Sequence, residues 1–109
     1  MAKRKSKQRG RGNILLTDEQ DNTICTAIES YCTLSNDEPM KKCIDEALNF
    51  FTNSLLHIKY FHEVLSNPRG NKVRFCMDNY ISEPQVYVYR REIVWRIAMI
   101  AYAMGIFVL

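Results

Sequence analysis

The sequence predicts a mainly α-helical fold that carries one short N-terminal strand. Apolar residues recur every three or four positions in two stretches, 17–34 and 39–51, which is the spacing of amphipathic helices. Residues 13–16 (NILL) are extended in character but number only four. Because nothing near them is predicted to be extended, their backbone groups need hydrogen-bond partners from elsewhere. We therefore predict that this strand pairs with its counterpart from a second copy, as an antiparallel ribbon on top of four helices.

The first predicted helix follows this strand directly. Thr17 offers a hydroxyl N-cap, and Gln20 follows three residues later, which is the spacing of a capping box. Acidic residues fill the first turn, where they suit the positive end of the helix dipole. The apolar stripe consists of Ile24, Ile28, Tyr31 and Cys32, and we expect the helix to end near Leu34.

The second predicted helix has its own start signals. Ser35 precedes Glu38 by three residues, a second capping-box spacing, and Pro39 is typical of a first helical turn. Its apolar stripe steps by three and four throughout and consists of Met40, Cys43, Ile44, Ala47, Leu48 and Phe51.

Residues 12–51 resemble the ribbon-helix-helix (Arc/MetJ-like) family of DNA-binding proteins. The resemblance lies in NILLTDEQ at the strand-to-helix junction, SNDEP at the turn and CIDEALNFF in the second helix. It implies a dimer that binds double-stranded DNA, with the outward side chains of the ribbon in the major groove. It also implies that the start of the second helix docks on backbone phosphate.

These implications identify candidate DNA-binding residues. In the ribbon, Arg11, Asn13 and Leu15 share the outward face, and such side chains can contact guanine, adenine and a thymine methyl group respectively. At the second helix the matching positions are Ser35 and Asn36, followed by the acids Asp37 and Glu38, which repel phosphate, and by the bases Lys41 and Lys42 one turn later.

Charge is distributed unevenly along the chain. The first twelve residues contain six bases and no acid, whereas residues 13–62 contain eight acids and three bases. Such an N-terminal arm, disordered when free, is suited to lie along phosphates, although a solubilising tail is the alternative. The basic residues of the arm are Lys3, Arg4, Lys5, Lys7, Arg9 and Arg11.

The second half of the chain is predicted to add a third helix and a β-hairpin. Ser54 could cap a helix over Leu55–Leu65, and a turn follows at residues 66–71. Residues 72–77 and 86–91 read as strands of a hairpin. A hairpin after three helices also fits a winged helix, with basic side chains on the wing (Arg69, Lys72, Arg74, Arg90 and Arg91). The competing local interpretation is a helix that begins at Pro84 and is capped by Ser82.

The C-terminal segment, residues 92–109, is strongly apolar. Thirteen uncharged residues follow Arg96, fewer than the roughly 20 needed to span a bilayer, so we predict no membrane segment. The segment should form a helix that ends at Gly105. It either lies in the core or packs against a second copy or another protein.

These patterns predict three regions: a basic arm (1–12), a ribbon-helix-helix motif (13–52) and a C-terminal extension (53–109). The predicted function is sequence-specific binding of double-stranded DNA by a small homodimeric regulator, such as a repressor, an antitoxin, or a partition or conjugation accessory protein of a plasmid or phage. The alternatives are a structural or scaffold subunit that uses the arm as a nucleic-acid tether, and RNA binding through Tyr87, Tyr89, Arg90 and Arg91.

No enzyme is predicted, because the sequence shows no nucleophile–base pattern, glycine-rich phosphate loop or pair of catalytic carboxylates. We predict no catalytic residue, no metal site and no cofactor. The four cysteines are expected to be free, buried thiols, and no apolar stretch follows the basic N-terminus, so a cytoplasmic location is expected.

Overall fold

The computed structural model describes residues 16–107, and this part of the chain forms five α-helices around one core. The last helix is central, because each of the other four packs against it. The helices are α1 (Asp18–Glu29), α2 (Pro39–Phe50), α3 (Leu55–Tyr60), α4 (Lys72–Asn79) and α5 (Glu83–Ala103). A 3₁₀ turn, Tyr31–Thr33, follows α1, and a π-helical turn, Phe61–Leu65, continues α3.

The predicted N-terminal ribbon is wrong as a description of this fold. Residues 13–15 lie outside the described residues, and Leu16, the last residue of the predicted strand, is not in a strand. Leu16 packs instead against the buried core of its own chain, so its apolar side chain is covered without a second copy. Residues 16–107 contain helices and no strand, and this finding overturns the ribbon-helix-helix fold class.

The predicted hairpin, and with it the winged-helix alternative, is also wrong. Its two strands fall within α4 and α5. The residues Val86 to Tyr89 have high strand propensity, but Val86, Tyr89 and Ile93 lie on one face of a helix and are buried together. Burial of that face outweighs local propensity, which spans only about 1 kcal/mol. The competing interpretation is confirmed, since Ser82 is the N-cap of α5 and Pro84 lies in its first turn.

The start signals of the first two helices have different outcomes. The capping box of α1 is confirmed, because the Thr17 hydroxyl accepts from the Gln20 amide at 3.0 Å and the Gln20 side chain accepts from the Thr17 amide at 3.1 Å. The prediction of a second capping box, at the start of α2, is wrong. Glu38 is the N-cap of α2 and makes no side-chain cap, while the Ser35 hydroxyl accepts from the amide of Asp37.

The predicted stripe of α2 is buried as expected, with Cys43, Ile44 and Ala47 fully enclosed. Burial raises the pKa of the Cys43 thiol, which stays protonated at neutral pH. Cys76 is also buried, but Cys32 is exposed, contrary to prediction, because it lies on the 3₁₀ turn rather than on α1.

The apolar C-terminal segment forms the centre of the core. Ile93, Ile97, Ala98 and Ala101 of α5 have no exposed surface. These side chains join α1 and α2 to the second half of the chain, so the segments 13–52 and 53–109 share one core. The helix ends before Gly105, whose φ of 80° is the conformation that glycine adopts most readily. Within residues 16–107, no helix combines the length and apolar character that crossing a bilayer requires.

Candidate nucleic-acid interface

A helix–turn–helix unit is formed by α4, a three-residue turn and α5. The helix α4 is eight residues long, and Asn71 caps it by accepting from the amide of Arg74 at 3.0 Å. Tyr80 then adopts a left-handed conformation (φ 58°, ψ 43°), which reverses the direction of the chain. Ser82 caps α5 by accepting from the amide of Gln85 at 3.4 Å. Two capped helices are thus joined by a turn of three residues, which is one of the requirements of a helix-turn-helix motif.

The side chain of Lys72 joins the start of α4 to the start of α5. Its Nζ lies 3.9 Å from Oε1 of Glu83, the first residue of α5, and donates to the Tyr87 hydroxyl one turn later. Both contacts therefore lie between the first residue of α4 and the first five residues of α5.

The unit is attached to the core by one face of each helix. Phe75 and Cys76 of α4 are buried, as are Val86 and Tyr89 of α5, and Ile81 of the turn packs against the same core. The orientation of the two helices is therefore set by packing, and the opposite faces are left for solvent or a partner.

The exposed side of the unit is basic and partly aromatic. Residues 69–91 contain five bases and two acids, which contrasts with the acidic first half. Arg91 is exposed, and Tyr87 is 48% exposed. The hydrogen bond to the Tyr87 hydroxyl, together with the attraction of Glu83, raises the pKa of Lys72, so this side chain is cationic at neutral pH.

Arg90 has a different environment from Arg91. Its guanidinium Nη2 lies 3.0 Å from the Sγ of Cys25, so it links α5 to α1. Of the two adjacent arginines, Arg91 is the one that is available to a partner.

The residues predicted from the N-terminal arm and ribbon are not covered by the structure. Lys3, Arg4, Lys5, Lys7, Arg9, Arg11, Asn13 and Leu15 all lie outside the described residues. Their role in DNA binding stays a prediction.

The predicted residues at the start of α2 lie in an acidic environment. Ser35 and Asn36 are exposed, but the N-cap position is occupied by Glu38, with Asp37 beside it. Two carboxylates at this helix start oppose the approach of a phosphate, even though its amides point outward.

The two lysines of α2 differ in their contacts. Lys41 pairs with Asp45 at 3.1 Å, and its Nζ lies 4.9 Å from the centre of the Tyr31 ring. Lys42 is exposed. The structure therefore holds Lys41 in a local network, whereas Lys42 presents its charge to solvent.

The RNA-binding alternative loses part of its surface. Of its two tyrosines, Tyr89 is only 8% exposed, and its ring packs beside His57 and Tyr60. Two tyrosines separated by one residue share a face on a strand and could have stacked on successive bases, but on a helix they point in different directions.

The sequence predicted a hairpin in place of the α4–α5 unit, because residues 72–77 and 86–91 were assigned the two-residue period of strands. Asn71 and Ser82 each precede a stretch in which apolar residues recur at three and four positions, and Pro84 marks a first helical turn. Giving these caps more weight than the alternation of residues 72–77 would have identified both helices. No family model, curated protein or solved structure matches this chain significantly, so its function is argued from the geometry of this unit.

Proposed function

We propose that this protein binds double-stranded DNA and that the α4–α5 unit makes the contacts to the bases. The observation that carries the proposal is the pair of capped helices joined by a three-residue turn, with Lys72 of α4 in contact with Glu83 and Tyr87 of α5. In helix-turn-helix proteins the second helix lies in the major groove, its N-terminal residues contact base edges, and the first helix crosses the backbone.

The exposed residues of α5 have chemistry that suits this position. Arg91 carries a planar fork of donors that can bind guanine bidentately, and Tyr87 offers a half-exposed ring at the edge of the unit. Glu83 would repel phosphate if it were alone, but Lys72 lies 3.9 Å from its carboxylate and offsets that charge.

The basic arm, residues 1–12, completes the proposal. The six bases of the arm supply a sequence-independent attraction to phosphate. In this division of roles, the arm increases affinity for any duplex and α5 discriminates among base sequences. A small DNA-binding regulator that acts as a homodimer is the biological role that this division supports.

The proposal is tested by fluorescence anisotropy with a duplex selected from a random-sequence pool and with an unselected duplex. The variant is Arg91→Ala, and the comparison is Lys42→Ala, an exposed base on α2 that the ribbon-helix-helix resemblance implied as a DNA contact but that follows the acidic start of that helix. We expect Arg91→Ala to weaken binding to the selected duplex by roughly 1–3 kcal/mol and to the unselected duplex by less. Lys42→Ala should change neither affinity by more than a small factor.

Two results would overturn the proposal. Equal losses for Arg91→Ala and Lys42→Ala would show that charge alone, and not the α4–α5 unit, governs binding. Stronger competition by single-stranded RNA than by duplex DNA would assign the protein to a different class of nucleic-acid partner. Far-ultraviolet circular dichroism of each variant establishes that the helices are intact.

A further inference from the structure

The outer face of α4 carries an exposed apolar stripe. Val73 and Met77 are four positions apart on one side of the helix, and Tyr80 follows at its C-cap. Their exposed fractions are 50%, 70% and 93%. Phe75 and Cys76 of the same helix are buried in the core, so the three exposed residues lie on the part of α4 that its own chain leaves uncovered.

Tyr80 is the most unusual member of this stripe. Its φ of 58° lies in the left-handed region, where glycine and asparagine are favoured and a bulky side chain is strained. Its ring is almost entirely in contact with solvent, so no burial within its own chain offsets that strain. A residue that keeps a strained backbone conformation without a stabilising contact in its own chain is a candidate functional position. For Tyr80, burial of the ring against a partner would supply that contact.

The charges beside the stripe indicate what covers it. Arg74 and Asp78 lie one turn apart along the same flank, and Arg74 Nε is 3.8 Å from Asp78 Oδ2. If two copies of α4 pack antiparallel, the same flank of each helix meets the other in reversed order. Arg74 of each copy then lies opposite Asp78 of the other, and Val73 lies close to Tyr80 of the other. A two-fold interface requires a surface that is complementary to a second copy of itself, and this arrangement of charges and apolar groups meets that requirement.

We propose that a second copy of this chain binds the outer face of α4 and forms an antiparallel α4–α4 dimer. This inference goes beyond the proposed DNA binding and does not depend on it. A patch of three apolar residues is far smaller than the roughly 800 Å² per partner of a standard interface, so the dimer should be weak and concentration-dependent.

Charge reversal tests the proposal in the absence of DNA. The variants are Arg74→Asp and Asp78→Arg in the full-length chain, and the readout is sedimentation velocity over a range of concentrations. Each variant alone places like charges opposite each other twice in the dimer, and we expect its dissociation constant to rise at least tenfold. An equimolar mixture of the two variants pairs opposite charges again, so heterodimers should form with nearly the affinity of the unmodified protein.

Two further variants separate the interface from effects on folding. Tyr80→Gly removes the strained side chain, so it should raise the thermal midpoint while it weakens self-association. Lys42→Asp is an exposed charge reversal on α2 and should leave the dimer unchanged.

The proposal is overturned if the unmodified protein is a monomer at about 1 mM, a concentration at which even a millimolar dissociation constant populates the dimer. It is also overturned if the mixed variants fail to associate while the unmodified protein does. These measurements are made without DNA. Either result therefore leaves the measurement of duplex binding by Arg91→Ala interpretable, and the two proposals can fail separately.

Discussion

Tyr31 shows how a single side chain joins three elements. Its hydroxyl donates to Asp45 Oδ1 of α2 at 2.5 Å, and its ring meets the edge of Phe61 with the centroids 5.2 Å apart. Burial, followed by the hydrogen bond to the Asp45 carboxylate, raises the pKa of Tyr31 to about 12. The folded state therefore favours the neutral phenol more strongly than the unfolded state does.

This raised pKa predicts a loss of stability in alkali. Tyr31 contributes fully below its unfolded pKa of about 10, and the contribution falls as the pH rises towards 12. Tyr31→Phe should therefore have a thermal midpoint that changes less between pH 10 and 12 than that of the unmodified protein. The exposed Tyr80→Phe serves as the control, and the buried Tyr60, whose pKa is also raised, leaves some slope in every variant. Equal slopes for Tyr31→Phe and the unmodified protein would contradict this prediction.

Gly70 is required by a close approach of the backbone. A Cβ at this position would lie 2.6 Å from the Cα of Val64 and 2.7 Å from the carbonyl oxygen of Glu63. Because both atoms belong to the main chain, relief requires the loop to move away from the π-helical turn.

We expect Gly70→Ala to lower the free energy of unfolding by roughly 1–3 kcal/mol, as overpacking does, measured by urea denaturation. Gly105→Ala is a useful comparison, since a Cβ at Gly105 would have no atom within 4 Å and only the positive φ of this residue opposes the change. A smaller loss for Gly70→Ala than for Gly105→Ala would show that the loop relaxes easily.

At the scale of elements, two of the four predicted helix caps form side-chain cap hydrogen bonds, and the predicted caps at Ser35 and Ser54 do not. The reciprocal bonds of Thr17 and Gln20 start α1, and Ser82 starts α5. The Ser35–Glu38 pair has the same spacing as the first box, but it fails because Pro39, which has no amide hydrogen, follows Glu38 and moves the helix start beyond Ser35.

This difference gives a direct prediction. Thr17→Ala should lower the free energy of unfolding by about 1 kcal/mol, because it leaves an α1 amide without its acceptor. Ser35→Ala removes only a turn contact with Asp37 and should cost less. The two variants are compared by thermal and urea denaturation, and similar losses would mean that the box of α1 contributes little.

The failure of the hairpin prediction has a physical cause at this scale. Over the eight residues 72–79, Val73, Phe75 and Met77 satisfy a period of two, while the helical face of Phe75, Cys76 and Asn79 satisfies a period close to 3.6. Such a short stretch fits both periods, and only burial against α5 and the π-helical turn selects the helix.

At the scale of the molecule, the uneven charge is the main electrostatic feature. A basic arm precedes an acidic segment, and the α4–α5 unit carries a second excess of bases. In the proposed function, the arm and the unit act on the same duplex but contribute differently, since the side chains of the unit are presented by two capped helices.

Deletion of residues 1–10 should therefore weaken binding to specific and random duplexes by the same factor. It should also reduce the slope of log affinity against log salt by about 0.9 for each phosphate that the arm no longer neutralises. Anisotropy titrations at several salt concentrations measure both quantities. A loss confined to the selected duplex would assign base reading to the arm and would contradict this division of roles.

Neighbouring residues were sufficient to predict the capping box of α1, the buried stripe of α2, the third helix after Ser54 and the apolar segment that became α5. Hydrogen bonds within one turn and a period of 3.6 are local properties, so they can be read from residues that are close in the chain. Tertiary packing was needed to establish that α5 is the central helix, that Tyr80 adopts a left-handed conformation and that Lys72 meets Glu83. Those features depend on how distant side chains share one core, and a short stretch of sequence that is compatible with two periods carries no information about that packing.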